Sequence, residues 1–169
     1  MQMIKMMMLF LIFFLSNIIG KMIAIKYNYR WQELKEIKNA LNVFKTKIRF
    51  TYEPLPEIFE EISKTTKNKV GEIFKEAKKN MEYENAGKAW KNAIEKTENH
   101  LKPEDKETLN MLSKLLGESD IDGQISQIDI TLSFLDKQLE EAEREKNKNE
   151  GLYRKLGTIM GLTLVIILV

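Results

Sequence analysis

The sequence predicts an all-α fold: a cytosolic bundle of about six helices between an N-terminal transmembrane helix and a short C-terminal one. Three observations carry this expectation. Both termini are apolar while everything between them is charged, with all 25 acidic residues falling between Glu33 and Glu150. The apolar residues of the middle recur at spacings of three and four, the period of one helical face. No stretch alternates for long enough to make a strand.

The first element is Met6–Ile25, 20 residues with one charge, Lys21. As a helix it is about 30 Å long, the depth of a bilayer core. Lys21 sits near one end, where its stem reaches the head groups. A signal peptide would use Lys5 as its basic start and Met6–Leu15 as its apolar core. The exit Ser16-Asn17-Ile18-Ile19-Gly20-Lys21 lacks a pair of small residues spaced for cleavage, so a retained anchor is expected.

The water-facing part reads as helix almost throughout. Leu34, Ile37, Leu41, Phe44 and Ile48 share one face of the first helix. Pro54 and Pro56 interrupt, and a second amphipathic stretch starts at Glu57, carrying Ile58, Phe59 and Ile62. Asn68–Asn80 is a short helix whose buried side is Val70, Ile73, Phe74 and Ala77. A turn at Glu84-Asn85-Ala86-Gly87 precedes a helix with Ala89, Trp90, Ala93 and Ile94 inside. Pro103 suits a first helical turn; Leu109, Leu112, Leu115 and Leu116 follow, with Gly117 as the stop. Ser119 or Asp120 then caps the longest helix. Its residues Ile121, Ile125, Ile128, Leu132, Leu135, Leu139 and Ala142 form a heptad seam. Lys146 and Asn149 break the seam, and Tyr153 and Leu156 resume it.

The first and last of these helices start from one membrane surface, which lets them pack antiparallel as a stalk below a compact head. A generic bundle without a stalk fits the same pattern. Self-association through the heptads is a third arrangement, but the first helix is a partner at far higher effective concentration.

The C-terminal segment Leu156–Val169 has 14 residues, about 21 Å of helix and short for a span. It reads as a short span, a segment lodged in one leaflet, or a buried helix. The last is disfavoured because its end is apolar on every face. Gly157 and Gly161 have the Gly-x-x-x-Gly spacing that admits a close helix neighbour. The expected organisation is therefore an anchor at 1–25, a cytosolic helical domain at 26–155 and a second anchor at 156–169.

Charge orients the chain. The net formal charge is +2, yet 26–49 holds seven basic against two acidic residues, 146–155 four against one, and 50–145 fourteen against 22. Basic excess beside both apolar segments places the middle in the cytoplasm. Those flanks also suit anionic head groups, at about 1 kcal/mol per basic residue. A nucleic-acid protein would gather its cations on the folded domain among aromatics, so none is expected as partner. The absence of cysteine removes disulfides and thiolate chemistry.

No catalytic, cofactor or metal site is expected. His100, the one histidine, stands in Glu98-Asn99-His100-Leu101-Lys102 at a polar helix end and reads as solvated. Asp120-Ile121-Asp122-Gly123 lacks the later ligands of a calcium loop. The run Glu140-Glu141-Ala142-Glu143-Arg144-Glu145-Lys146 spreads its carboxylates around the helix. Phosphate-loop and dinucleotide motifs are missing, and no small-molecule substrate is implied. What remains is a non-enzymatic scaffold whose acidic head meets a cytosolic partner. Candidate contacts are Glu53, Glu57, Glu60 and Glu61 around the two prolines, with Arg30 and Trp31 at the membrane edge. The bland reading is that the acids keep the head soluble. A competing function is a membrane-bound adaptor or sensor signalling through the long heptad helix.

The order of features carries a family resemblance. Arg30-Trp31-Gln32-Glu33-Leu34 follows the anchor, then Tyr52-Glu53-Pro54-Leu55-Pro56-Glu57-Ile58, Ala89-Trp90-Lys91-Asn92-Ala93 and Leu116-Gly117-Glu118-Ser119-Asp120. Lys148-Asn149-Glu150-Gly151-Leu152-Tyr153-Arg154-Lys155-Leu156-Gly157 and an apolar tail close the chain. Over essentially its whole length this resembles the stage III sporulation protein AB family of endospore-forming bacteria. The resemblance implies a component of the channel complex between mother cell and forespore, in the mother-cell membrane that surrounds the forespore. It implies a soluble domain similar to the helical domain of the type II secretion F component. It also implies other channel components as partners, with the ATPase stage III sporulation protein AA docked in the cytosol. Glu53 stands where the family usually has a small residue, and Gly123 where it has a charged one.

Overall fold

The computed structural model describes residues 2–51 and 53–168. Tyr52 of the resemblance motif and Val169 of the C-terminal segment lie outside the described residues. Among the described residues there are six α-helices: α1 (Gln2–Phe50), α2 (Leu55–Thr65), α3 (Asn68–Asn80), α4 (Ala86–Lys96), α5 (Pro103–Asn110) and α6 (Ile121–Leu168). A 3-10 turn, Met111–Lys114, follows α5, and no strand occurs among the described residues. The chain divides into a bundle unit, Gln32–Glu140, and a paired-helix unit made of Met1–Trp31 and Glu141–Val169.

In the bundle unit the predicted faces turn inward. Leu34, Ile37, Leu41, Phe44 and Ile48 of α1 are buried, as are Ile58, Phe59 and Ile62 of α2. Helix α3 packs against both α2 and α4, and α4 against α5 and the 3-10 turn. Phe59 lies at the centre: its ring is 5.1 Å from Phe44, 5.3 Å from Phe74 and 5.8 Å from Trp90. Ring pairs at these separations add to the burial of the rings themselves. The indole N–H of Trp90 donates to the Leu109 carbonyl at 2.9 Å, so the largest core side chain buries no unmet donor. Lys38 and Lys45 of α1 pair with Asp136 and Asp129 of α6, which fixes those two helices antiparallel within this unit.

Short side chains set the helix starts. Asn85 Oδ1 accepts from the Lys88 amide at 2.9 Å at the head of α4, and Asp120 Oδ1 accepts from Gly123 at 2.9 Å at the head of α6. At α5 the buried Asp105 accepts from the Lys102 amide at 2.9 Å.

In the bundle unit four expectations need correction. Helix α2 starts at Leu55, two residues before Glu57, because Pro56 falls in a first turn whose amides need no helical partner. Helix α5 stops at Asn110 and passes into the 3-10 turn, so Leu112 is buried from the turn and Leu116 from beyond it. Gly117 (φ +78°) turns the chain as expected, but after that turn rather than after a helix. The heptad seam buries Ile125, Ile128, Leu132, Leu135 and Ala142, while Ile121 at its head stays 39% exposed and Leu139 is half-buried.

In the paired-helix unit, α1 and α6 again run antiparallel. Tyr27 stacks on Tyr153 with ring centres 5.8 Å apart, so the seam resumes at Tyr153 as expected. It does not continue through Leu156, which is exposed. Gly157 and Gly161 are buried instead, against Gly20, Ser16 and Phe13. Both helices are long and apolar enough to cross a membrane. Phe10, Met7, Ile159 and Ile166 are among many large apolar side chains exposed along them.

Candidate functional site

The backbones of the paired helices meet at glycine. A Cβ on Gly20 would lie 2.9 Å from the Gly157 Cα, closer than any side chain allows. This approach brings polar groups into bonding range inside the apolar stretch. Ser16 Oγ donates to the Gly157 carbonyl at 2.8 Å, and Thr158 Oγ1 donates to Asn17 Oδ1 at 2.7 Å. The Asn17 amide in turn donates to the Phe13 carbonyl at 2.8 Å. Each side-chain polar group therefore has a partner that lipid could not supply. The Gly-x-x-x-Gly spacing pointed to half of this contact; Ser16-x-x-x-Gly20, the matching small pair, carried the other half of the signal.

Arg30 and Trp31 lie in the same unit. Arg30 is buried, and its guanidinium donates to Glu145 at 2.7 Å. Trp31 is half-buried with the Lys146 ammonium 3.8 Å from its ring centre, a cation–π contact. Both are held within the chain rather than offered freely at its surface.

The four candidate acids belong to the bundle unit and behave differently from one another. Lys47 reaches two of them, Glu61 at 2.6 Å and Glu53 at 3.4 Å. The Glu61 carboxylate, and Glu53 after it, raise the Lys47 ammonium above its ordinary value. Glu60 accepts from Lys64 at 2.6 Å and lies 3.8 Å from Lys78; Lys64 above all holds its carboxyl below the ordinary range. Glu57 is exposed and makes no ion pair with any described residue. The structure thus puts these acids on one stretch of chain, with Glu57 as its free charge. Glu60, Lys64 and Lys78 also line an open groove of about 960 Å³ along α2, α3 and the end of α4.

His100 is exposed, as its sequence neighbourhood suggested, but it is held by a tertiary contact that the neighbourhood does not announce. The buried Glu33 of α1 takes both the His100 amide and its ring Nδ1, each at 2.7 Å, and so fastens the loop between α4 and α5. The two residues are 67 apart in sequence, so no local pattern announces the contact. Among the described residues no three carboxylate, imidazole or thiol groups gather as a metal-binding set.

The comparisons agree on one family. The chain matches the stage III sporulation protein AB family over residues 5–169. It is 25% identical over 146 residues to the stage III sporulation protein AB of Bacillus subtilis (strain 168), covering 84% of this chain and 85% of that protein. A solved structure of a stage III sporulation protein AB superposes with a TM-score of 0.65 at 21% identity, over 71% of this chain and 98% of that one. That likeness shows the helical fold. With nearly the whole length matched and both apolar helices included, the chain belongs to the stage III sporulation protein AB family.

Proposed function

We propose that this protein is a non-enzymatic, membrane-anchored assembly component of the channel complex between mother cell and forespore. The observation that carries the reading is the placement of apolar helix at both ends of a charged helical bundle, in a chain of this family. Residues 1–25 and 156–169 act as anchors, and 26–155 face the mother-cell cytoplasm. The basic excess beside both apolar segments supports that orientation.

The cytoplasmic part docks the ATPase stage III sporulation protein AA, beside other channel components. Glu57 leads the contact because its charge is uncommitted. Glu53, Glu60 and Glu61 join by exchanging their own lysines for those of the partner, which costs little at an exposed surface. Arg30 and Trp31 are a second contact, at the membrane edge, engaged when the partner displaces Glu145 and Lys146 from them.

The test is co-purification of that ATPase on the full-length chain in mild detergent. Binding at low salt, weakened by Glu57→Lys and by added salt, is the expected result. No binding at low salt would remove the docking role. Deletion of the gene in a spore-forming host should block spore formation; normal spores would remove the channel role.

A further inference from the structure

Three basic groups of the paired-helix unit are already committed. Arg30 is bound to Glu145, Lys146 lies over Trp31, and Arg154 is 3.7 Å from Glu150. Lys21, Lys26, Lys148 and Lys155 are exposed, and none has an acidic partner among the described residues.

The helix pairing brings these four together. Gly20 lies against Gly157, so Lys21 and Lys155 stand at one level. Tyr27 stacks on Tyr153, so Lys26 and Lys148 follow within the next two turns. The band from Lys148 to Lys155 is about 10 Å deep, comparable to a single head-group layer. On one side of it the chain is uncharged, from Met6 to Gly20 and from Leu156 to Leu168. The stacked tyrosines and Trp31 supply the rings that favour an interface.

We infer that Lys21, Lys26, Lys148 and Lys155 form a collar that binds anionic phospholipid head groups, which rests on the membrane anchoring proposed above. The lysines border exposed apolar side chains, Met22, Ile23, Leu156 and Ile159. A phosphodiester held there lays its acyl chains on that surface, whereas a free phosphate gains only a screened attraction. Each lysine near an anionic surface contributes about fivefold in affinity. The four together favour an anionic over a zwitterionic lipid by a hundredfold or more at that site.

The experiment uses the full chain in liposomes of equal phosphatidylglycerol and phosphatidylcholine. The protein is extracted in mild detergent, and the phospholipid that co-purifies is identified by mass spectrometry. Phosphatidylglycerol should be strongly enriched on the native chain. Enrichment should persist when all four lysines become arginine and fall to the input ratio when all four become glutamine. The collar is refuted if the native chain retains lipid in the input ratio, or if the glutamine variant enriches phosphatidylglycerol as well as the native chain. Displacement by inorganic phosphate at matched ionic strength would mean a soluble-anion site and also overturn it. Alkaline carbonate separates the two readings. Release of the native chain from the membrane ends the anchoring and the collar together; retention without lipid preference ends the collar alone.

Discussion

Replacing Gly20 by alanine would put a methyl carbon 2.7 Å from the Tyr153 carbonyl oxygen and 2.9 Å from the Gly157 Cα. Both neighbours are backbone, so neither can rotate away. Relief requires the helices to separate by most of an ångström. That movement stretches the Ser16 bond to the Gly157 carbonyl and the Thr158 bond to Asn17, now 2.8 and 2.7 Å long. Interhelical hydrogen bonds of this kind contribute about 0.6 kcal/mol each in a membrane, with a maximum near 1.7. Adding the close packing lost along the glycines, the pairing should weaken by about 2 kcal/mol, more than tenfold in its equilibrium.

The other glycines make the prediction a graded one. At Gly157 the added carbon would meet Ser16 O at 3.0 Å and Gly20 Cα at 3.1 Å, tight but nearer to tolerable. At Gly161 the nearest atom is Phe13 Cδ2 at 3.0 Å, the far side of a ring that can turn. At Gly151 nothing lies within 4 Å, and alanine should stabilise the helix by about 0.5–1 kcal/mol. The damage should therefore rank Gly20 above Gly157, Gly157 above Gly161, with Gly151 neutral or better. The chain has no cysteine, so Tyr27→Cys with Tyr153→Cys, a facing pair that leaves both hydrogen bonds in place, gives a cross-linking reporter free of background. Cross-linking yield in membrane vesicles reads the pairing for each alanine variant. Equal yields for the Gly20 and Gly151 variants would refute the close-contact argument.

Gly87→Ala would set a carbon 2.0 Å from the Ser113 carbonyl oxygen, forcing α4 off the 3-10 turn; a loss of about 3 kcal/mol should appear as a lower Tm by circular dichroism. Trp90→Phe removes the donor to the Leu109 carbonyl in the core, and denaturant titration should show about 1–3 kcal/mol lost. The pH dependence follows from two shifted groups. Glu60 is held below its ordinary 4.5, so its contribution is present above that pH and fades as pH falls through the lowered value. Lys47 is held above its ordinary 10.5, so its contribution is present below that pH and fades as pH rises through the raised value. Glu60→Gln should flatten the acid limb of Tm against pH, and Lys47→Met the alkaline limb, each leaving the other limb in place.

Helix identity was legible wherever burial and periodicity coincide. The inward faces of α1 through α4 follow from spacings of three and four, since only a helix puts Leu34, Ile37, Leu41, Phe44 and Ile48 on one side. Boundaries were less legible where two signals compete. Pro56 reads as a break, yet it is accepted inside a first turn. The leucines after α5 read as one helix, yet the chain tightens into a 3-10 turn at Met111. The candidate acids were visible as charges, but their pairing was not. Lys47 is six residues from Glu53 and fourteen from Glu61, spacings that no single-helix rule connects. Glu33 with His100 is the extreme case, a contact made only by tertiary folding.

The short C-terminal segment shows how the pairing of the two helices changes the meaning of a length. Fourteen uncharged residues reach about 21 Å, which falls short of a bilayer core when the segment stands alone. It does not stand alone. Helix α6 continues unbroken through Gly151, Leu152 and Tyr153, and its charges at Arg154 and Lys155 sit on long stems. Stems of that length let the apolar surface extend a further turn while the charged heads stay at the interface. On the other face, Gly157, Thr158 and Gly161 press against α1, whose own apolar stretch has full length. Part of the surface that a lone segment would have to match to lipid is thereby matched to protein. Mismatch costs fractions of a kcal/mol per ångström, while the glycine contact and its two hydrogen bonds contribute on the order of 2 kcal/mol. The pairing outweighs the shortfall, so α6 should hold its place in the membrane through α1 and lose it when Gly20 is filled.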